Sequence, residues 1–154
     1  MTGLIAYSEG TRYTPEKRLE AEKWCKAHNK RLGKHLLYPR TKGFVRSVQE
    51  LRTTPHVNAV YDVTIAYAKD GHSFQEAPPF AHTLALPRLS EHRRFFVHVT
   101  RHPLSKLPDT DEGLANWLEE RWVEKGERLE TLRRELEGGQ EWQAMHDIEI
   151  SLLD

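Results

Sequence analysis

The chain has 154 residues and equal numbers of basic and acidic side chains, 23 of each, for a formal net charge of zero. Its length suits one ordinary domain with a core of its own, and its charge balance leaves no global field to draw it to nucleic acid or anionic lipid. Cys25 is the single cysteine, which excludes an intramolecular disulfide and a multi-cysteine metal site and points to a reducing compartment.

No run approaches the roughly 18 apolar residues of a membrane span. The first residues lack the basic-then-apolar pattern of a signal peptide, and Ser151-Leu152-Leu153-Asp154 is neither a prenylation box nor a retention signal. Membrane contact is therefore expected to be peripheral.

The first apolar run, Leu4-Ile5-Ala6-Tyr7, leads through Ser8 into Glu9-Gly10-Thr11-Arg12. This is how a buried strand delivers polar groups to the rim of a sheet, although the same residues also suit an ordinary turn. A strand this close to Met1 takes its neighbours from elsewhere, so the chain is expected to start late within its domain. From Thr14-Pro15-Glu16 a helix is predicted to about Asn29, with Thr14 as cap, Pro15 in the first turn and Glu16 at the positive end of the dipole. Its apolar stripe of Leu19, Trp24 and Cys25 is thin, which places it at the surface.

Pro39-Arg40-Thr41-Lys42-Gly43-Phe44 then puts two cations, a hydroxyl and a glycine in one loop. The loop reads either as an anion cradle or as a solvated basic turn. Phe44, Val45, Val48 and Leu51 predict a short helix ending near Thr53-Thr54-Pro55. Val57 to Ala68 is rich in β-formers and predicts a central strand, with Asp62 inside it needing a partner if buried.

Lys69 to His72 reads as a turn, Gln75 to Leu89 as an irregular connection and Arg94 to Val99 as another strand. Basic residues flank its aromatics, but the spaced aromatic signature of an RNA-binding sheet is absent. The last helix opens near Pro108-Asp109-Thr110-Asp111-Glu112 and stops at Gly138-Gly139. It carries Leu114, Trp117, Leu118 and Trp122 on one face, a pattern that suits core packing better than a membrane anchor.

Three blocks, Glu9-Gly10-Thr11-Arg12, Pro39-Arg40-Thr41-Lys42-Gly43-Phe44 and Ala59-Val60-Tyr61-Asp62-Val63-Thr64, together resemble the glycerolipid acyltransferases in order and spacing. They are most similar to the C-terminal half of the eukaryotic 1-acylglycerol-3-phosphate (lysophosphatidic acid) acyltransferases. The resemblance covers roughly residues 4 to 124, and Ser8 departs from the proline often found there. It implies an α/β fold, a mixed sheet with packed helices, as a partial glycerol-3-phosphate-acyltransferase-like domain plus a C-terminal helix. Residues 1–70 would be the C-terminal part of the catalytic domain and 71–139 the family's C-terminal extension, with 140–154 an unassigned tail.

The resemblance assigns phosphate binding to Glu9, Gly10, Thr11, Arg12, Lys42 and Gly43. Residue chemistry agrees for two of them, since Arg12 offers a planar fork for phosphate oxygens and Lys42 a point charge. The implied substrates are lysophosphatidate and acyl-CoA, giving phosphatidate, with no metal, no cofactor and no nucleic acid. The implied location is the endoplasmic reticulum membrane, on its cytosolic side.

The family's catalytic pair is a histidine followed five positions later by an aspartate, a base and the group that orients it. Five positions after His28, His35, His56, His72, His82, His92, His98, His102 and His146 stand Gly33, Arg40, Tyr61, Ala77, Pro87, Val97, Pro103, Leu107 and Ser151. No catalytic residue is therefore assigned, and His35, the histidine nearest the proposed site, has no suitably spaced carboxylate. The alternative expectation is an inactive remnant that binds anionic lipid or a partner chain.

Overall fold

The computed structural model describes residues 4–71, 73–75 and 93–139. In chain order they form α1 (Pro15–Ala27), α2 (Thr41–Arg52), β1 (Ala59–Lys69), β2 (Ser73–Phe74), β3 (Arg93–Pro103), a 3-10 turn (Leu104–Lys106) and α3 (Asp111–Glu137). The fold is α/β, with helices and a three-stranded sheet of order β2-β1-β3. Nearly all of the irregular connection expected after Gln75, and the tail from residue 140, lie outside the described residues, as do His72, His82, His92 and His146.

The chain divides into two compact units, one from residues 1–61 and 101–128, the other from 62–100 and 129–154. In the first, Phe44, Val45 and Val48 of α2 meet Leu104, Leu107, Leu114 and Leu118 in one buried cluster. The rings of Phe44 and Trp117 stack at 5.6 Å, and His102 meets Trp117 edge-on at 5.0 Å. The tryptophans of α3 thus serve packing, as the sequence suggests. Arg52 ties α2 to the chain after β3, donating to the carbonyls of Leu107 at 2.9 Å and Pro108 at 2.8 Å and pairing with Asp109 at 2.8 Å.

The cap on α1 is as expected, with Thr14 Oγ1 accepting from the Lys17 amide at 3.3 Å. Cys25 is the buried residue of this helix, and desolvation pushes its thiol pKa up, which leaves little of the reactive thiolate. The opening strand is not formed. Leu4, Ile5 and Tyr7 are irregular and 60%, 81% and 85% exposed. A strand persists only where its backbone groups find a neighbouring strand, and none of the described strands pairs with this run. The polar turn after it consequently sits on a loop and a helix rather than at a sheet rim.

In the second unit, Thr64, Ala66 and Ala68 alternate as the buried face of β1, and Leu129, Leu132 and Leu136 are buried on the last turns of α3. Asp70 and Gly71 take positive φ, 49° and 72°, where the chain reverses, and Lys69 pairs with Ser73 and Ala68 with Phe74 in antiparallel register.

Within the first unit, α3 crosses the segment before α2 at backbone distance. A Cβ on Gly126 would lie 2.3 Å from the Lys34 nitrogen and 2.8 Å from the Gly33 carbonyl carbon. One on Gly33 would lie 2.4 Å from the Trp122 carbonyl oxygen. In an isolated helix Gly126→Ala would gain about 1 kcal/mol. Here the added methyl must push two backbones apart, and overpacking of this kind costs about 1–3 kcal/mol. Gly126→Ala is expected to lower the urea midpoint of unfolding despite its better helix propensity.

Candidate functional site

The segment from Ser8 to Arg12 is built as a tight turn laid on the stretch that precedes α2. The Gly10 amide donates to the Tyr7 carbonyl at 2.9 Å, closing the turn, and Gly10 has φ +64°, a region that glycine enters without strain. A Cβ there would stand 2.9 Å from Nε of Arg40, so the absence of a side chain lets the guanidinium lie against the turn. The Arg40 amide donates to the Ser8 carbonyl at 2.7 Å. Two of the blocks picked out in the sequence are thereby joined through their main chains.

Glu9 secures the turn from inside. Its Oε1 accepts from the Leu37 amide at 3.1 Å and from Trp122 Nε1 at 3.4 Å. The buried Lys125 ammonium lies 4.9 Å from the centre of the Trp122 ring and adds its charge, as does Arg18. Arg18 in turn donates to the carbonyls of Gly33 and Leu36, at 2.5 and 2.6 Å. Beside this cluster, Glu119 accepts from Lys30 at 2.9 Å and from the Tyr38 hydroxyl. Burial, together with the hydrogen bond and charge of Glu119, pushes the Tyr38 hydroxyl well above the usual phenol range.

The other predicted residues divide. The Thr11 hydroxyl accepts from Lys17 Nζ, so an intramolecular donor already occupies it. Arg12 is exposed just beyond the turn, whereas Thr41, Lys42 and Gly43, expected in a loop, form the first turn of α2, with Lys42 and Gly43 exposed there. No side chain caps that helix start and no acid of its own lies in its first turn, so the positive end of its dipole has no counter-charge from this helix. A Cβ on Gly43 would meet nothing within 4 Å, so the space above it is open. Lys42 also borders a shallow groove with Arg46 of α2 and Asp111 and Glu112 of α3, a surface of both signs. Asp62 is half-buried in β1, and His35 is half-buried with φ 61°.

Arg40 is the residue that sequence reasoning undervalued. It stands two residues before Lys42, at the N-cap of α2, but nothing local indicates that it lies on Gly10. Trp122 stands out only as a packing residue of the last helix and Lys125 not at all, since both reach Glu9 from more than a hundred residues away.

Burial is the largest influence on Glu9 and raises its pKa above 4.5; the Leu37 and Trp122 hydrogen bonds and the nearby cations oppose it. A carboxyl raised in this way stabilises the fold below its unfolded pKa, and that contribution is lost as pH rises through the folded value. Lys125→Met removes one opposing cation and is expected to move the NMR-titrated Glu9 pKa further up. Glu9→Gln keeps an acceptor for the Leu37 amide and is expected to flatten the pH dependence of stability in the same window.

Comparison with known proteins adds an independent line. Residues 89–146 match the family described as Acyltransferase C-terminus. The chain is 34% identical over 127 residues to 1-acyl-sn-glycerol-3-phosphate acyltransferase 3 of Arabidopsis thaliana, covering 82% of this chain and 31% of the relative. It is 29% identical over 143 residues to lysocardiolipin acyltransferase 1 of Gallus gallus, covering 88% and 33%. It is 31% identical over 133 residues to the Mus musculus protein of the same name, covering 82% and 31%. No solved structure matches the chain. The chain spans about a third of the length of the curated relatives it matches. Over that third it is a homologue of the glycerolipid acyltransferases and carries their acyltransferase C-terminus in residues 89–146.

Proposed function

We propose that this chain supplies the glycerophosphate-holding side of an acyltransferase site, with a lysophosphatidate as acceptor and acyl-CoA as donor. The observation that carries this reading is the docking of the Ser8–Gly10 turn on Leu37–Arg40. It packs Arg40 against Gly10 and leads straight into the uncapped start of α2. An anion at that helix start would meet uncapped amides, the Lys42 charge and open space over Gly43, with Arg12 and Arg40 as further cations. Glu9 would hold the turn in shape rather than touch the phosphate.

In the full reaction, the acceptor hydroxyl oxygen bonds to the acyl carbonyl carbon and the carbon–sulfur bond of the thioester breaks. The hydroxyl proton passes through a base to the departing CoA thiolate. A positioned base contributes typically about 10²–10⁴-fold. None of the nine histidines has an aspartate five positions on. That observation favours a second reading beside the first, in which this chain alone binds the acceptor or an anionic headgroup and turns over little. No described helix is long and apolar enough to cross a bilayer.

Titration of the purified chain with 1-acylglycerol 3-phosphate below its micelle concentration tests the site. A charge-assisted contact contributes about 1.5–3 kcal/mol, so Lys42→Ala and Arg12→Ala are each expected to weaken binding about 10- to 150-fold. Affinity unchanged in both variants would remove the site assignment. Assay with acyl-CoA separates the two readings, since turnover abolished by Lys42→Ala supports catalysis and binding without turnover supports the headgroup module.

A further inference from the structure

Arg40 differs from the arginines that hold the first unit together. Arg18 donates to the Gly33 and Leu36 carbonyls and pairs with Glu22, and Arg52 donates to the carbonyls after β3 and pairs with Asp109. Arg46 pairs with Glu50 and Arg121 with Glu124. Among the described residues, the exposed Arg40 guanidinium makes no hydrogen bond and no ion pair. It is nevertheless fixed in place. An ideal Cβ on Gly10 would stand 2.9, 3.0 and 3.1 Å from its Nε, Cδ and Cζ. Near-equal distances to three bonded atoms place that point above their plane, so the guanidinium lies flat on the glycine. The Arg40 amide, donating to the Ser8 carbonyl at 2.7 Å, fastens the backbone of the same residue to the same turn.

A guanidinium carries its N–H donors in its own plane, so one laid flat keeps them at the edge, clear of the turn beneath. Seated in this way it has already lost much of its rotamer freedom, and a ligand need not order it again. What it can add depends on the ligand. A phosphate monoester carries a charge of about −1.5 to −2 and three acceptor oxygens near neutral pH, whereas a diester carries a single charge and one oxygen fewer. Arg12 and Lys42 together already exceed the charge of a diester. A monoester leaves an oxygen for a third donor that is planar and charged.

We propose that Arg40, seated on Gly10, is the specificity-determining residue that selects a terminal phosphate monoester over a phosphodiester. Gly10 is its positioning residue, acting through the absence of a side chain. The proposal rests on the acceptor reading above, in which Lys42 and Arg12 hold the phosphate whatever Arg40 does. Both substrates of that reading bear such a monoester, the acceptor on its glycerol and CoA on its ribose.

Titration with lysophosphatidate and with 1-acylglycerol 3-phosphoglycerol of the same short acyl chain, below their micelle concentrations, tests the proposal. Arg40→Ala is expected to weaken binding of the monoester about 10-fold or more and of the diester less than about 2-fold. Its far-ultraviolet dichroism is expected to be unchanged, because the amide bond to Ser8 survives the truncation. Arg40→Lys keeps the charge without the fork and is expected to recover only part of the preference. Gly10→Ala puts a methyl where the guanidinium lies, and is expected to reduce the preference in the native chain but no further in the Arg40→Ala chain. A turn that was merely strained would weaken both ligands, and equally in both backgrounds. A parallel titration with CoA and 3′-dephospho-CoA separates the sources: dependence on Arg40 within the lysolipid pair assigns the contact to the acceptor, and within the CoA pair to the donor. Equal losses for monoester and diester in Arg40→Ala, or preferences unchanged in both pairs, would overturn the proposal, and lysophosphatidate binding still weakened by Lys42→Ala would then leave the phosphate site standing. If the native chain binds neither lysolipid, the acceptor reading falls and the proposal with it.

Discussion

The first unit depends on a contact between two backbones. Gly33 and Gly126 let α3 and the segment before α2 approach until there is no room for a Cβ on either side. At that separation Trp122 and Lys125, on the adjoining turn of α3, come within reach of Glu9, and Glu9 holds the Ser8–Gly10 turn through the Leu37 amide. Arg18 fastens the same segment from α1 through two carbonyls. Widening the glycine contact by even an ångström would stretch the longer of the two Glu9 hydrogen bonds, already 3.4 Å, beyond useful geometry. The turn then loses its internal anchor.

This arrangement turns the four consecutive residues from Glu9 to Arg12 in different directions. Glu9 and Gly10 are engaged inward, the carboxylate with an amide and an indole, the glycine with a guanidinium. Thr11 is engaged sideways with Lys17. Of the four, Arg12 alone extends into solvent as a charged group. The first turn of α2 contributes the other outward features: Lys42, open space over Gly43 and uncapped amides. Three of the four residues are thus occupied by contacts within the fold.

Local pattern made much of the fold legible. Thr14-Pro15-Glu16 announced α1, the spacing of Phe44, Val45 and Val48 announced α2, and the β-rich runs announced β1 and β3 to within a few residues. Pattern failed where structure depends on a neighbour. Leu4 to Tyr7 has strand composition but no adjacent strand among the described residues, so its apolar side chains remain exposed. β2 is two residues long and gives no periodicity to read. The Gly33–Gly126 approach and the reach of Trp122 to Glu9 join positions about a hundred residues apart, and no window on the sequence spans them. The candidate site was legible in the same proportion: its blocks were found, and the contacts joining them were not.

The inward commitment of Glu9 has a kinetic consequence. With its carboxylate turned into the protein, the turn and the start of α2 present Arg12, Arg40 and Lys42 outward, on a chain whose charges sum to zero. Cations on a neutral body cast a field that dies within a Debye length, about 8 Å at physiological ionic strength. A distant anion is not steered towards such a surface, and the three charges are felt only at short range. Long-range electrostatic pull therefore contributes little to any association at this surface.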